Sequence, residues 1–416
     1  MSDAPALVLL TIAYPFGNRV ETFLETEIEV LAERFPRVYV LPSRREPGVR
    51  PLPAGAQLVE MGWLRRPSRG AVARALASPE AARAARWTAT DGGAGLRAHL
   101  RLPRAHLDNL GRNVLKSREL ARFVAQRDLD GAVFYDYWFE NSTLALALLR
   151  DAGTVRTAVC RAHGFDLWDE RWRPGVVPFR EAKARGLDAV YAVSAAGAAY
   201  LEGHSPALRG KVSVQRLGVR DPGQTCPPPR PGEPPLIVTC AGLSAAKHVD
   251  LVPEVLAALE RPLRWVHLGD GPERARVEAA ASRLLGGRVE WELRGHVDNA
   301  EVLGLYAGEH VAALLSLSSS EGLPVSMMEA QSYGIPIVAR AVGGVPEIVG
   351  ERTGVLLGAE ARPAEAASAL GEALEPGRFP PDAVRAEFQR CFNASVNYNG
   401  FVDAVLSLRD ATLSPN

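Results

Sequence analysis

The stretch "LSLSSSEGLPVSMMEAQSYGIP", Leu315–Pro336, decides how the second half of the chain folds. An apolar run ends in serines, a Glu-Gly-Leu-Pro bend follows, and an apolar helical pattern begins near Pro324. Because Pro is tolerated in the first helical turn, the stretch predicts a strand, a loop, and a helix that points its N-terminus at the loop. Free amides and the positive end of the helix dipole suit a phosphate there. Glu321 in the bend and Glu329 in the helix could each accept hydrogen bonds from hydroxyl groups, although both could also simply face water.

The alternation of strand and helix continues on both sides of this stretch. Short apolar runs separated by helical patterns indicate parallel strands that are covered on both faces. The Pro-rich run "DPGQTCPPPRPGEPP" interrupts the pattern after residue 220 and predicts a semi-rigid linker. We therefore expect an α/β protein with two Rossmann-like, doubly wound domains facing each other across a cleft, where ligands bind. The predicted ranges are 1–222 for the first domain, 223–234 for the linker, 235–381 for the second domain, and 382–416 for a final helix that crosses back.

The composition excludes several classes of protein. The chain has 416 residues, 47% hydrophobic content and no net formal charge, which fits two globular domains and gives no indication of a nucleic-acid partner. The four cysteines are scattered without metal-ligand spacing, as expected for a reducing cytosol. The apolar run near the N-terminus is short and lacks basic residues before it, so it predicts a buried strand instead of a signal peptide. No stretch has the length of a membrane span. We expect a cytoplasmic protein.

Positive charge is concentrated in one segment, Met61–Arg127. This segment contains 14 Arg and Lys residues against 4 Asp and Glu residues. It could be a solvated, Arg-rich helical surface. It could instead be a basic face that meets anionic lipid head groups, as a peripheral membrane contact, or an acidic acceptor.

Further glycine and lysine motifs follow other predicted strands of the second half. "GIPIVARAVGGVPEIV" places two glycines, Gly343 and Gly344, after a strand, where backbone can approach a ligand closely. "HLGDGPERARVEAA", "RGHVDN" and "LSAAKHVD" follow strands as well. With "EGLPVSMMEAQSYGIPIVARAVGGVPEIV", these motifs resemble the signature of retaining nucleotide-sugar glycosyltransferases, family 4, with the GT-B fold. "VETFLETEIEVL", "YDYWF" and "RAHGFDLWDER" resemble the branch that builds bacterial surface polysaccharides.

The resemblance implies roles for individual residues. The implied catalytic residues are His163, Lys247 and Glu321. Lys247 would contact the donor diphosphate, Glu321 the sugar hydroxyls, and His163 the transferred sugar. The implied donor-binding residues are Gly17, Gly242, Gly271, His296, Val297, Gly322, Leu323, Val325, Ser326 and Glu329, the last through the ribose.

Three residues of the first half are candidates for acceptor binding. Tyr137 and Trp138 could stack on an acceptor sugar, although aromatic residues in a buried strand usually belong to the core. Asp166 could orient the acceptor or cap a helix. A lone histidine such as His163 is commonly a satisfied core residue, but its place after a strand and beside Gly164 favours a site role.

The sequence departs from the family pattern at two positions. The family has an arginine where this chain has Gly242, so a guanidinium that would hold diphosphate oxygens is missing. Arg340 or Arg294 could substitute, or Lys247 could act with the helix N-terminus alone. The N-terminal glycine loop is also reduced to Gly17.

The expected function is transfer of a hexose, with retention of configuration, from a UDP- or GDP-linked donor to a glycan or polyprenyl-linked acceptor. No cofactor and no metal ion is expected, because "DLD" at Asp128–Asp130 precedes a strand instead of ending one. The setting implied is cell-surface polysaccharide synthesis, with peripheral contact at the inner face of the membrane through 61–127. Two alternatives remain: an inactive GT-B protein that acts as a binding partner, and a phosphorylase-like or sugar-phosphate synthase variant of the fold.

Overall fold

The computed structural model describes residues 5–18, 20–89, 104–140, 142–172 and 175–414. The chain divides into two units, one formed by 1–215 together with 398–416 and the other by 216–397.

The first unit is built on a parallel sheet with helices between its strands. Its strands are β1 (Ala6–Thr11), β2 (Arg37–Pro42), β3 (Ala56–Leu58), β4 (Val133–Asp136), β5 (Thr157–Ala162), β6 (Ala189–Ala192) and β7 (Val212–Val214). Its helices are α1 (Leu24–Arg34), α2 (Arg69–Leu76), α3 (Pro79–Ala89), α4 (Arg104–Arg127), α5 (Thr143–Asp151), α6 (Arg180–Arg185) and α7 (Ala195–His204).

The second unit repeats this plan. Its strands are β8 (Leu236–Cys240), β9 (Leu263–Leu268), β10 (Val289–Leu293), β11 (Val311–Ser316), β12 (Ile337–Arg340) and β13 (Gly354–Leu357). Its helices are α8 (Val252–Ala257), α9 (Arg274–Leu284), α10 (Asn299–Gly308), α11 (Val325–Ser332), α12 (Pro363–Ala373) and α13 (Pro381–Cys391), and α14 (Ala394–Leu413) follows. The strand, bend and helix predicted across 315–336 are therefore confirmed.

Both sheets are doubly wound. The strand order is β3-β2-β1-β4-β5-β6-β7 in the first unit and β10-β9-β8-β11-β12-β13 in the second. Strand β1 is buried along its whole length, with Val8 and Leu10 in one apolar cluster and Leu7 and Leu9 in the other, as period-2 alternation requires. The order reverses between β1 and β4 and between β8 and β11. In open α/β sheets, ligands bind outside the carboxyl ends of the strands at such a reversal.

The Pro-rich segment 223–234, predicted as a semi-rigid linker, packs against the second unit. It has no helix or strand, but Cys226 is buried and its N–H donates to the carbonyl of Tyr333 over 2.8 Å. The carbonyl of Pro227 also lies 2.9 Å from Nδ1 of His310. The segment is therefore part of the second unit, and the division falls between 215 and 216 instead of near 222.

The C-terminal range 382–416 is two helices, not the single predicted helix. Helix α13 ends at Cys391, and α14 begins at Ala394. The break arises because Val219 pairs with this point: its N–H donates to the carbonyl of Phe392 over 2.9 Å, and its carbonyl accepts from Ala394 N over 3.0 Å. Residues 381–397 belong to the second unit, and the return to the first unit starts at Tyr398.

A buried charge pair joins distant segments of the first unit. The guanidinium of Arg161 on β5 is fully buried and donates to Glu27 Oε1 (3.1 Å), to the Tyr135 hydroxyl (2.9 Å) and to the carbonyl of Gln215 (3.1 Å). The ring of Phe401 on α14 lies beneath it, 4.3 Å from the guanidinium carbon. The Arg161 guanidinium therefore connects β5 with α1, β4 and α14.

Candidate functional site

The loops that follow β8 and β11 bring Lys247 and Glu321 together. Lys247 Nζ lies 2.6 Å from Glu321 Oε1, although the two residues are 74 positions apart. Ser319 N donates to the carbonyl of Ala246 over 2.9 Å, so the two loops are also joined through backbone. Since β8 and β11 are the neighbouring strands at the reversal of the sheet, this ion pair stands where the fold places ligands.

The bend after Glu321 leads directly into α11. Pro324 is extended (φ −69°, ψ 117°) and Val325 is the first helical residue. The amides of a first helical turn have no intrahelical acceptor, so those of Val325 and Ser326 are available at the positive end of the dipole. Gly322 and Leu323 complete the bend. An ammonium group and a helix N-terminus at one loop suit an anionic group such as a diphosphate.

Glu329 lies farther along α11 and is almost completely buried. Burial raises the pKa of its carboxyl to about 7, although a hydrogen bond from Asn299 acts in the opposite direction. Asn299 Nδ2 donates to Glu329 Oε1 over 2.7 Å. The sequence analysis did not single out Asn299, although it ends the motif "RGHVDN" and begins α10. A carboxyl fixed in this way can accept hydrogen bonds from a diol.

The glycines at 343 and 344 support the bend. Gly343 has φ +53°, and a Cβ at this position would lie 1.9 Å from the carbonyl oxygen of Glu321. Gly344 N donates to the carbonyl of Gly322 over 2.7 Å. The two glycines therefore allow a close approach to the bend that carries Glu321, while the predicted approach to a ligand stays a prediction.

Gly271 also serves a neighbouring loop. A Cβ at Gly271 would lie 2.4 Å from the carbonyl oxygen of Leu243, and Leu243 N donates to the carbonyl of Asp270 over 2.9 Å. The glycine thus lets the loop after β9 pack against the loop after β8. Downstream of β10, His296 is exposed and Val297 is half-buried.

Gly242 is exposed and has no close neighbour. The nearest atom to a Cβ built there is the carbonyl oxygen of Asp270, at the ordinary contact distance of 3.7 Å. Its φ lies outside the left-handed region. The backbone at this position would therefore accept a side chain such as arginine.

Neither arginine predicted to replace that missing side chain is free. Arg340 is buried and donates through Nη1 to the carbonyl of Leu317 (2.9 Å) and through Nη2 to that of Ala361 (2.6 Å). Arg294 donates through Nε to Glu292 over 3.0 Å. Arg340 in particular stabilises loops at the carboxyl edge of the sheet, because its two donors bridge backbone carbonyls there.

In the first unit, the His163 ring lies among aromatic side chains. Its centroid is 4.3 Å from that of Trp138, 4.8 Å from that of Tyr137 and 6.0 Å from that of Phe23. His163 Nδ1 is 3.6 Å from Asp166 Oδ2, which is too long for a hydrogen bond. Neither ring nitrogen of His163 has a hydrogen-bond partner among the described residues. The ring is therefore held by packing, and because both of its nitrogens are buried, contact of His163 with a ligand stays a prediction.

The predicted acceptor residues have structural partners instead. Asp166 is fully buried, and its carboxylate accepts from the backbone N–H groups of His163 and Gly164 (both 2.9 Å) and of Phe139 (2.9 Å). Tyr137 is fully buried, which excludes stacking on an acceptor in this arrangement. The assignment of Asp166 and Tyr137 to direct acceptor contact is therefore corrected: Asp166 fixes the loop, and Tyr137 packs against His163.

Trp138 is held by a residue that the sequence analysis missed, Glu21. The indole Nε1 of Trp138 donates to Glu21 Oε1 over 2.6 Å. The same carboxylate accepts from the N–H groups of Ile12 (3.0 Å), Ala13 (2.8 Å) and Tyr14 (2.7 Å). The available signal was the start of the motif "VETFLETEIEVL", whose second residue is Glu21. Glu21 has φ +55°, which is incompatible with a right-handed helix, so α1 starts only at Leu24.

Gly17 is likewise committed to a turn. It has φ +76°, and a Cβ would lie 2.8 Å from Cβ of Glu46. Its N–H donates to the carbonyl of Gly48 over 2.9 Å. Gly17 therefore shapes the loop after β1, and its contact with a donor stays a prediction.

Within the described ranges, no set of three or more His, Cys, Asp or Glu side chains is arranged to hold a metal ion. Of the helices that the structure describes, none combines the length and apolar character needed to cross a membrane.

Comparison of the sequence with known proteins identifies the second unit. Residues 234–376 match the family model "Glycosyl transferases group 1". The putative colanic acid biosynthesis glycosyltransferase WcaL of Escherichia coli is 28% identical over 221 residues, which are 51% of this chain and 54% of that protein. The 2-deoxystreptamine glucosyltransferase of Streptomyces kanamyceticus is 34% identical over 120 residues, 29% of this chain and 30% of that protein. The matches thus span about half or less of these curated relatives.

Solved structures resemble the chain over nearly its whole length. Sucrose-phosphate synthase of Thermosynechococcus elongatus has a TM-score of 0.72 at 16% identity, covering 98% of this chain and 100% of that one. Anabaena HepE, in complex with UDP-glucose, has a TM-score of 0.63 at 15% identity, covering 97% and 99%. At this identity the likeness concerns the fold. The chain has the GT-B fold, and the predicted resemblance to GT-B glycosyltransferases is confirmed.

Proposed function

We propose that this GT-B chain, whose residues 234–376 form a group 1 glycosyl transferase domain, is a retaining hexosyltransferase. In this proposal it moves a sugar from a nucleotide-sugar donor to a glycan or lipid-linked acceptor in the synthesis of cell-surface polysaccharide. The name of the E. coli relative, which concerns colanic acid, supports the polysaccharide setting. The HepE complex with UDP-glucose supports a nucleotide-sugar donor, for which we expect UDP or GDP as the carrier.

One observation carries the proposal: the 2.6 Å contact between Lys247 and Glu321 at the start of α11, with Glu329 buried farther along the same helix. An ammonium and helix amides suit a diphosphate, and the carboxylates on either side suit hydroxyl groups. A nucleotide sugar presents matching groups in order: the hydroxyls of its ribose, its diphosphate, and the hydroxyls of its hexose. We assign Glu329 to the ribose, Lys247 to the diphosphate and Glu321 to the hexose.

The mechanism follows from where charge develops. Glycosyl transfer passes through an oxocarbenium-like state, and the departing nucleoside diphosphate gains negative charge as its bond to the sugar breaks. Lys247 and the amides of Val325 and Ser326 would stabilise that charge in the transition state. Lys247 donates to Glu321 in the structure, so donor binding would redirect the ammonium to phosphate oxygens and free Glu321 for sugar hydroxyls.

Retention requires that the acceptor attack the face from which the diphosphate leaves. We propose that the leaving phosphate takes the acceptor's proton, so Glu321 binds hydroxyl groups and forms no covalent bond. His163, whose ring nitrogens have no hydrogen-bond partner among the described residues, would contact the transferred sugar. The donor is a substrate, and we propose no resident cofactor or metal ion.

The test is a donor screen followed by matched substitutions. UDP-, GDP- and ADP-sugars are assayed for hydrolysis and transfer, and the active donor is then used with Lys247→Ala and Glu321→Ala. We expect a loss of at least about a hundredfold in kcat/KM from each, since each removes a charged contact to the reacting groups. The matched controls are Arg378→Ala and Glu372→Ala, which break an ion pair of similar length (2.7 Å) elsewhere in the unit. Equal activity in the site and control variants would refute the assignment.

A second candidate function rests on Gly242. With no guanidinium at that position and with Arg340 and Arg294 committed elsewhere, the diphosphate has fewer cations than the family pattern supplies. The chain could then be a GT-B binding partner without turnover. Calorimetry on the folded protein distinguishes the two, because such a partner would show no affinity for any nucleotide sugar.

A further inference from the structure

A cavity of about 1120 Å³ opens in the first unit, at the carboxyl edge of its sheet. Thr11, Ser43 and Asp136 line it from the ends of β1, β2 and β4. The volume is at the upper end of the range of small-molecule sites, so a charged sugar or a prenyl phosphate fits.

The rest of the lining comes from the basic segment Met61–Arg127. Of that segment, residues 90–103 lie outside the described residues. Its described part contributes Trp63 and four cationic side chains to the wall. These are Arg65, Arg66, Arg112 and Lys116. The positive charge that the sequence concentrates in this segment therefore faces, in part, a cavity.

Lys116 is the buried member of this set. Its side chain extends from α4, is 9% exposed, and lies over the ring of Trp63 with Nζ 5.2 Å from the centroid. Nζ donates to Ser142 Oγ over 2.8 Å and to Ser43 Oγ over 3.1 Å. An ammonium has three donors, and both acceptors here are neutral hydroxyls. Within the described part of the chain, Lys116 forms no ion pair.

Three carboxylates that line the cavity, those of Asp136, Glu119 and Glu140, act on Lys116 and oppose the lowering of its pKa by burial. Asp136 accepts from Thr143 Oγ1 over 2.8 Å, and its burial raises the pKa of its carboxyl to about 7. Glu119 accepts from the N–H of Gly62. Burial outweighs these charges and lowers the pKa of Lys116 to about 8, so most of it is still charged at neutral pH. An entering anion would offset part of the remaining cost of burying this ammonium.

Two further cations lie on the exposed part of the wall. Arg65 and Arg66 are exposed and have no ion pair among the described residues. Arg44 and Arg112, by contrast, are paired with Glu46 (3.1 Å) and Asp108 (2.8 Å). The cavity thus combines one buried cation and two exposed cations that form no ion pair among the described residues.

We propose that this cavity binds an anionic group of the acceptor, a phosphate or a carboxylate, with Lys116 as its buried counter-ion and Arg65 and Arg66 as exposed contacts. The inference deepens the proposed transferase function, on which its reference to an acceptor rests. A phosphate would come from a prenyl-linked acceptor and a carboxylate from an acidic sugar.

The experiment separates these two sources. Geranyl phosphate and its neutral counterpart geraniol, and methyl glucuronide and its neutral counterpart methyl glucoside, are titrated into the full chain by calorimetry. We expect one anionic compound to bind at least about tenfold more tightly than its neutral counterpart. Lys116→Met should remove that preference. Lys247→Ala should keep it, which separates the cavity from the donor loop.

Lys183 offers the matched control. It is another buried lysine of the same unit, 3% exposed, whose Nζ donates to the carbonyl of Phe139 over 2.9 Å, and it does not line this cavity. Lys183→Met should leave the anion preference unchanged. If Lys116→Met does not fold, the surface variant Arg65→Ser/Arg66→Ser still tests the site, and we expect it to weaken anion binding severalfold.

Donor hydrolysis by the wild-type chain is measured in parallel. If the chain hydrolyses a donor but shows no preference for either anion, the anion site is wrong and the transferase proposal stands. If Lys116-dependent anion binding is found without turnover of any donor, the transferase proposal fails and the anion site stands. An anion preference that survives in both the Lys116→Met and the Arg65→Ser/Arg66→Ser variants would overturn the inference.

Discussion

Donor affinity should depend on the protonation state of Glu329. The pKa of this buried carboxyl is about 7. In the role that we propose for Glu329, its ionised form would accept hydrogen bonds from both hydroxyls of a ribose diol. Donor binding therefore favours the ionised form, and the donor-bound pKa falls below 7. Between about pH 8 and about pH 6 the ionised fraction falls from about nine-tenths to about one-tenth, so the Kd should rise about tenfold, or ~1.4 kcal/mol. Proton release should accompany binding near neutral pH.

The assay is calorimetry with the donor found in the screen, in buffers of different ionisation enthalpy. Both phosphates of an intact nucleotide sugar are esterified, so they do not titrate in this range. Glu329→Gln should bind the donor more weakly and without this pH dependence. Asn299→Ala removes the hydrogen bond that lowers the pKa of Glu329, so the midpoint should move upward. A wild-type profile that is flat, or parallel to that of Glu329→Gln, would refute the role given to this carboxyl.

Three further predictions concern single positions. Gly242→Arg should tighten donor binding about tenfold in calorimetry, because a guanidinium adds charge-assisted hydrogen bonds to the diphosphate; unchanged affinity would show that this position does not face the donor. Arg161→Met leaves the buried Glu27 carboxylate without its guanidinium partner, so the free energy of unfolding measured with urea should fall by ~3–5 kcal/mol. The surface control Arg34→Ala should lower it by less than ~1 kcal/mol. Equal losses in the two variants would contradict this. Gly343→Ala forces a Cβ against backbone at φ +53° and should lower both stability, by more than ~1 kcal/mol, and donor affinity; a variant with wild-type values would show that the bend tolerates the side chain.

The sequence was sufficient for the architecture and for the donor loops. Buried apolar runs such as "ALVLLT" predict parallel strands, and Pro324 predicts the start of α11. The proximity of Lys247 and Glu321 agrees with the family resemblance, which placed both residues at the donor. The strands and the start of α11 depend on local pattern, which a single sequence reports well.

The inferences that failed depend on partners distant in sequence. Nothing local to Asp166 shows that its carboxylate accepts from Phe139, and nothing local to Glu21 shows that it binds the indole of Trp138. Arg340 was a candidate diphosphate ligand until its two carbonyl partners were known. The break before α14 was missed for the same reason, because it is caused by pairing with Val219.

The discontinuous make-up of the first unit has a consequence for biosynthesis. Arg161 stacks on Phe401, so one layer of the first unit is supplied by residues that are translated after the whole of range 216–397. Range 216–397, by contrast, is continuous and is fully translated before that layer exists. During synthesis the second unit should therefore be able to fold first, while the first unit still lacks the apolar side chains that α14 supplies. A released chain truncated after residue 397 should show protease resistance in range 216–397 and sensitivity in range 1–215.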